Sequence, residues 1–242
     1  MELSIVIPAY NEEKRILKTL KTITESLKNL KFEIIVVDDG STDHTRSIVE
    51  SYNLENIRLL KNEKNMGKGY SVKKGVLAAE GSHILITDAD MSTPITEVSK
   101  LLAFSDRYLL IVGSRNLPES RIYIRQGITR VTLGRVFSYL PRLLRIVDDV
   151  SDTQCGFKLI RSDAAKKLFR SLRIHGFAYD VEMLLTAKRN GISYTEVPVI
   201  WNNDPNSKVN ILKHSPRMLL DLLIIKFGDT LGRYKNVHTQ ED

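Results

Sequence analysis

The sequence predicts an α/β protein, an open, mostly parallel sheet flanked by helices. Three observations predict it. Short apolar runs alternate with segments of helical hydrophobic spacing through the first half of the chain. The runs stop abruptly in polar clusters. Those clusters are rich in Asp, Asn, Gly and Ser, which places them beyond strand C-termini, where a parallel sheet opens its ligand crevice.

The elements follow in order. Residues 3–8 (LSIVIP) form an apolar run stopped by proline and read as a buried strand. Asn11 is then expected to cap a helix, with Glu12 and Glu13 in its first turn and Ile16, Leu20, Ile23, Leu27 and Leu30 along one face. Residues 33–37 (EIIVV) are a second strand, a helix spans about 43–52, and a third strand lies near 57–60. A glycine-punctuated helix covers about 67–80. Residues 83–87 are the fourth strand, followed by a helix from about Pro94 and a strand near 109–112. The second half is less regular. It reads as a helix over about 127–147, a strand near 156–160, helices near 162–169 and 179–190, a strand near 193–197 and a last helix near 216–227. No internal repeat or linker interrupts the chain. The tail from Tyr234 is polar and expected to fray.

The 242 residues suffice for a sizeable core, and near-average charged and apolar content excludes wholesale disorder. A single cysteine, Cys155, excludes an intramolecular disulfide framework and fits a reducing compartment. No run approaches the ~18–20 apolar residues of a spanning helix, and residues 1–10 lack a basic leader, so neither a transmembrane helix nor a signal peptide is expected. The net charge is +7, and it is concentrated. Between Arg107 and Arg145 stand eight arginines and one acid, Glu119, while the remainder is balanced. Such a segment suits nucleic acid, an anionic membrane or a phosphorylated ligand. Nucleic acid is disfavoured, because aromatics are few there and no recognised binding motif is present.

Three strand-end clusters carry the chemistry: Pro8-Ala9-Tyr10-Asn11-Glu12, Asp38-Asp39-Gly40-Ser41 and Asp88-Ala89-Asp90. Two carboxylates one residue apart suit a hard divalent cation that also bridges phosphates. Taken alone, such a pair more often belongs to a loop that caps the next helix; beside the other two strand-end clusters, the cation reading prevails. There is no G-x-G-x-x-G after the first strand and no Walker A motif, which removes the main support for a dinucleotide site. Instead, Asn65-Met66-Gly67-Lys68-Gly69 opens a helix, its glycines admitting close backbone approach and Lys68 offering a cation to phosphate.

In this order PAYNE, VVDDGSTD, NMGKG and TDAD resemble an inverting family-2 glycosyltransferase with the GT-A fold. Asp152-Thr153-Gln154-Cys155-Gly156-Phe157-Lys158, Tyr179-Asp180-Val181-Glu182, Glu196-Val197-Pro198-Val199, Ser207-Lys208-Val209 and the Met218…Asp221-Leu222 helix are similar to the dolichyl-phosphate β-glucosyltransferase branch. Mannose synthases of dolichyl phosphate are close neighbours. The resemblance implies that Pro8, Ala9, Tyr10 and Glu12 frame the base and ribose, that Asp39 binds the base, and that Gly67 and Lys68 lie near the nucleotide. It implies that Asp88 and Ala89 contact ribose or sugar and that Asp90 binds the metal, Mg2+ or Mn2+. Arg115 and Arg130 would hold the acceptor phosphate, with Lys208 on a loop that closes the site. Asp88, Asp90 and Arg115 are the expected catalytic residues.

The sequence also departs from the mannose synthases. Ser92 stands where they often carry a metal-binding Gln, Asn206 replaces a Gly before Ser-Lys, and Gly134 replaces a Ser four residues after Arg130. The implied reaction transfers a hexose, glucose from UDP-glucose, to dolichyl or another polyprenyl phosphate. The alternatives are GDP-mannose as donor, or a non-catalytic membrane-surface adaptor on the same fold. An ionised phosphate acceptor needs no general base, so Asp180 and Glu182 are not assigned that role.

The implied organisation is a GT-A catalytic domain over 1–213, a C-terminal apolar helix over 214–233 packed on the domain or on a membrane surface, and a polar tail over 234–242. The partners are a nucleotide-diphosphate sugar donor, the polyprenyl phosphate, a membrane surface bound peripherally at its cytoplasmic face, and a membrane-anchoring protein. Leu133, Val136, Phe137, Leu140, Leu143, Leu144 and Val147 make an apolar stripe beside Arg135, Arg142 and Arg145, a pattern that serves either a core or a headgroup plane. The five histidines show no zinc spacing, Cys155 reads as a small buried group, and Trp201 as packing.

Overall fold

The computed structural model describes residues 1–52, 54–124, 139–202 and 211–235. Its first half alternates strand and helix: β1 (Leu3–Ala9), α1 (Ile16–Ser26), β2 (Phe32–Asp38), α2 (Thr45–Ser51), β3 (Ile57–Lys61), α3 (Lys68–Ala78), β4 (His83–Ile86), α4 (Val98–Leu102) and β5 (Leu110–Ser114). The rest adds β6 (Arg121–Ile124), β7 (Lys158–Arg161), α5 (Ser162–Ser171), α6 (Tyr179–Arg189), β8 (Tyr194–Pro198), β9 (Ile200–Asn202) and α7 (Ile211–Thr230).

Seven strands form one sheet in the order β3-β2-β1-β4-β7-β5-β8. β1, β2, β3 and β4 run parallel, as do β5 and β8. β7 lies between the two groups and is antiparallel to both β4 and β5. Both sheet faces are covered, which explains why β1 and β2 read as apolar runs without alternation, interrupted only by Ser4 and Glu33, which bond each other, before β2 ends at Asp38. Val6, Ile35 and Val37 face one core with α3, α5 and α6, while Ile5, Ile34 and Val36 face the other with α1.

Several expectations are corrected. Asn11 caps no helix. It adopts φ +57°, and its side-chain oxygen accepts the Thr42 N–H at 2.8 Å, so it ties the β1 loop to the β2 loop, and α1 starts only at Ile16. The segment from Pro94 begins as a 3-10 turn, Ile95–Glu97, before α4. The expected helix over 127–147 is described from 139 and ends by 143. There Arg145 turns to φ +51° and Ile146 N–H reaches back to Pro141 O at 2.8 Å, a left-handed terminus. Leu143, expected on the apolar stripe, is exposed, whereas Leu140, Leu144 and Val147 do pack on the core. The short parallel pair β6–β9 had no periodic signal to reveal it.

α7 starts at 211, so the expected boundary after 213 falls inside a helix. Pro216 sits in its second turn, where it costs one backbone hydrogen bond. Tyr234 is not frayed. It is buried, and its hydroxyl donates to Glu182 Oε1 at 3.2 Å.

α3 crosses the sheet through Gly75. A Cβ there would fall 2.5 Å from Val6 Cγ1 and 3.0 Å from Val37 Cγ2. Gly75→Val is therefore expected to destabilise the fold by about 1–3 kcal/mol through overpacking. Denaturant unfolding measures it, and unchanged stability would show that α3 is free to lift off the sheet.

Candidate active site

The crevice lies where β1, β2 and β4 end. Their exits, the start of α3 and part of α7 enclose a cavity of about 680 Å³. Pro8, Ala9, Tyr10, Glu12, Asp39, Gly67, Lys68, Asp88, Ala89 and Asp90 all line it, so every expected donor-binding residue meets in one place. Arg115 is not among the lining residues. Arg130 and Lys208, with Gly134 and Asn206, lie outside the described residues, as does the expected helix before 139.

The loops are set by backbone and carboxylate bonds. Asp39 N–H donates to Ala9 O at 2.8 Å, joining the ends of β1 and β2. Its carboxylate accepts Asn62 Nδ2 (2.8 Å), Met66 N–H (2.9 Å) and Gly67 N–H (2.9 Å). Gly67 has φ +102°, and a Cβ there would fall 2.5 Å from His175 O. Gly69 N–H donates to that same carbonyl at 2.7 Å. The close approach that these glycines permit includes the chain's own 174–176 segment. Glu12 is engaged by Arg15, at 2.6 Å.

Fixed in this way, Lys68 reaches across to Asp88, with Nζ 2.6 Å from Oδ1. Burial would lower the Lys68 pKa, but the carboxylates of Asp88, Asp180 and Asp90 outweigh it and hold the ammonium above its ordinary value. Burial would raise Asp88, but Lys68 outweighs that and holds it below the usual carboxylate range. Asp90 moves the other way. Burial and the neighbouring Asp88 charge raise it, against the Ser92 N–H that donates to its Oδ1 at 2.9 Å. Asp88 also rests on Gly156, where a Cβ would fall 2.1 Å from its Oδ2, so the glycine of the DTQCGFK stretch is required by contact.

Asp90 fits a hard cation as a single carboxylate ligand. Among the described residues no group of three or more His, Cys, Asp or Glu could hold a metal. A cation here would complete its shell with water and phosphate oxygens.

A second network lies beside the cavity at the end of β5. Asp152 accepts Arg115 N–H (2.9 Å), Nε (2.7 Å) and Nη2 (2.8 Å). Glu196 in turn accepts Ser151 N–H (2.7 Å), Ser151 Oγ (2.8 Å) and Asp152 N–H (2.9 Å). The guanidinium stands 5.5 Å from the centroid of the Trp201 ring, so this residue stacks on a cation as well as packing. Two of the five guanidinium N–H groups face Asp152, which leaves the others for an anion. Beneath the site, fully buried Lys158 donates to Asp180 Oδ1 at 2.5 Å, and Glu182 accepts the Arg173 and Ile174 N–H groups. Both acids therefore have structural partners. Sequence reasoning did not assign roles to Asp152, Glu196 or the cavity wall of Gly176, Phe177, Arg217, Met218 and Asp221. These act through tertiary contacts that no local spacing encodes.

Residues 4–169 match Glycosyl transferase family 2, and the chain belongs to that family. It is 37% identical to a dolichyl-phosphate beta-glucosyltransferase of Trichomonas vaginalis, over 92% of this chain and 72% of that protein. It is 36% identical to the dolichyl-phosphate beta-glucosyltransferase of Dictyostelium discoideum, over 96% and 76%. The corresponding Saccharomyces cerevisiae protein is 34% identical, over 97% and 77%. Among solved structures, glucosyl-3-phosphoglycerate synthase from Mycobacterium tuberculosis, in complex with Mn2+, uridine-diphosphate and phosphoglyceric acid, superposes with a TM-score of 0.71. It is 22% identical, over 94% of this chain and 78% of that one, and the match shows a shared GT-A fold.

The Arg115–Asp152 pair sets a pH test. Burial would raise Asp152, but Arg115 outweighs it and holds the carboxyl below its ordinary value. Its stabilisation is therefore complete above the unfolded value of about 3.9 and lost as pH falls through the lower folded value. Asp152→Asn should cost on the order of 2 kcal/mol at neutral pH, less than a fully buried pair because Arg115 keeps some solvent contact. The gap to wild type should close in strongly acid solution. A gap independent of pH would assign the loss to packing instead.

Proposed function

We propose that this protein transfers glucose from UDP-glucose to dolichyl or another polyprenyl phosphate, with inversion, giving a β-linked lipid-phosphate sugar. The observation that carries this reading is the meeting of three strand-end clusters on one cavity, with a paired carboxylate beside a lysine. The relatives named above support the sugar and the acceptor class.

In this reading Pro8, Ala9, Tyr10, Glu12 and Asp39 hold the nucleoside end, and Gly67, Lys68 and Ala89 flank the diphosphate and ribose. Asp88 contacts ribose or sugar, and Asp90 ligates Mg2+ or Mn2+. A bound cation neutralises charge on the leaving diphosphate. Arg115, Arg130 and Lys208 hold the acceptor phosphate, with Arg115 aimed in advance by Asp152 and stacked by Trp201. The phosphate oxygen is already ionised, so it attacks the anomeric carbon with no base. A carbon–oxygen bond forms on one face, the bond to the diphosphate breaks on the other, and the electron pair leaves with UDP.

Purified protein incubated with labelled UDP-glucose, polyprenyl phosphate and Mg2+ or Mn2+ should give a chloroform-extractable product. Asp90→Ala and Arg115→Ala should each reduce it at least a hundredfold, with folding retained. No lipid product from UDP-glucose, but product from GDP-mannose, would reassign the donor. No product from any donor would end the reading.

The lipid acceptor also calls for a surface. Among the described residues no helix is long and apolar enough to cross a membrane. α7 turns Met218, Leu222 and Ile225 into the core and leaves Leu219, Leu220, Leu223, Ile224 and Phe227 exposed on its outer side, followed by exposed Leu231. Arg142, Arg145 and Arg233 stand exposed in the adjoining chain. This ridge is proposed to lie in the headgroup plane at the cytoplasmic face of a membrane, alone or with an anchoring protein. The double variant Leu220→Ser/Phe227→Ser should abolish sedimentation with anionic liposomes while leaving UDP-glucose binding intact. Undiminished sedimentation would move the contact elsewhere.

A further inference from the structure

The buried carboxylates of this fold are either well supplied with donors or, like Asp180, paired with the fully buried Lys158 ammonium; Asp221, on the cavity wall, is neither. Glu33, Asp38, Asp39, Asp152 and Glu182 are each at most 4% exposed, and each accepts three hydrogen bonds. Asp221 is equally buried, at 2%, yet its one partner among the described residues is Arg217 Nε, 3.2 Å from Oδ1. That arginine side chain is 74% exposed, so solvent screens its charge. Burial accordingly pushes the Asp221 carboxyl above its ordinary value, against Arg217 and His175. Its other oxygen has no protein donor among the described residues and opens onto the cavity, so this carboxylate gains less from the empty protein than the other five do.

The position of Asp221 explains why a sequence would keep such a group. It lines the same cavity as Lys68, Asp88 and Asp90, and reaches it from α7 rather than from a strand end. Its Oδ2 faces Gly176, another lining residue, where a Cβ would stand 3.0 Å away. Glycine at 176 therefore leaves a notch beside an oxygen that still lacks a donor. A carboxylate can accept two hydroxyl hydrogens at once, one on each oxygen, which suits adjacent hydroxyls on a sugar ring. The nucleoside-framing segments and the cation ligand come from β1, β2 and β4, so the second-half wall is left to contact the rest of the donor.

We infer that Asp221 binds a vicinal diol of the donor, as a specificity-determining residue supplied by α7. This inference rests on the donor reading of the cavity. The diol belongs to the hexose or to the ribose. A hexose contact would let Asp221 select among sugars by the orientation of their hydroxyls, since a site built to bond a hydroxyl rejects ligands that leave it unpaired.

Calorimetric titration of wild type and Asp221→Asn with UDP-glucose and with UDP tests the assignment. The expected result is a roughly tenfold or greater weakening of UDP-glucose, the loss expected when a charge-assisted hydrogen bond is removed. UDP affinity unchanged places the diol on the hexose, and UDP weakened in parallel places it on the ribose. The melting temperature of the ligand-free variant should equal or exceed that of wild type, because the amide removes a charge whose one protein partner is an exposed arginine. A merely structural carboxylate would lower it. Gly176→Ala, which narrows the notch and keeps the charge, should weaken the same ligand. Affinities within twofold of wild type for both ligands, or a lowered melting temperature accompanying the loss in Asp221→Asn, would overturn the assignment. Wild type that binds neither ligand would overturn the UDP-glucose reading itself. The same pair of proteins would then be titrated with GDP-mannose, where equal affinities would overturn the Asp221 assignment too.

Discussion

The carboxylate of Asp39 is the tie on which the site depends. Its three acceptor bonds draw Asn62, Met66 and Gly67 to the end of β2, and its own N–H joins β2 to the end of β1. That tie joins the loop before α3 to the end of β2, and with the Gly69–His175 bond it sets the path of Lys68 to Asp88. The arrangement is economical in charge. One buried anion is satisfied by two backbone N–H groups and an amide, so it needs no cation, and the nearby lysine remains free to neutralise Asp88.

Charge is handled differently beside the cavity. Arg115 is held by Asp152, and the Ser151–Asp152 backbone is held by Glu196. The guanidinium is thus oriented through two successive carboxylates before any acceptor arrives, which lowers the ordering that binding must supply. The concentrated positive charge of residues 107–145 acquires structure here. Arg115 is constrained, while Arg107, Arg121, Arg142 and Arg145 face solvent.

Much of the first half was legible because each signal there is local. A buried parallel strand such as β2 writes itself as EIIVV, and its exit writes itself as DDGS. Most of the cavity-lining residues from Pro8 to Asp90 were legible for that reason, although Arg15 and Ser71, inside helical spacing, were not. Elements fixed by distant partners were not legible. Asn11 looks like a helix cap until Ser41 and Thr42 are seen to claim it. The helix over 139–143 looks longer because apolar spacing continues to Val147, although Arg145 has already turned the chain. Tyr234 looks like a tail residue because its partner, Glu182, lies 52 positions away. The wall of α7 carried apolar helical spacing, which shows that a helix forms but not that Asp221 opens onto a cavity.

β7 runs against both of its neighbours, and this reversal has a consequence for how the two halves of the reaction are coupled. β4 and β5 present their exits to the crevice, whereas β7 presents its entrance. The few residues leading into β7 therefore pass between those two exits. Gly156 rests against Asp88 on one side and Asp152 grips Arg115 on the other, four positions apart. A parallel strand in that slot would have put its far end there and left the two anchors to separate loops. As built, a single pentapeptide gauges the spacing between the proposed donor and acceptor sites, and lengthening it by one residue would put both out of register together.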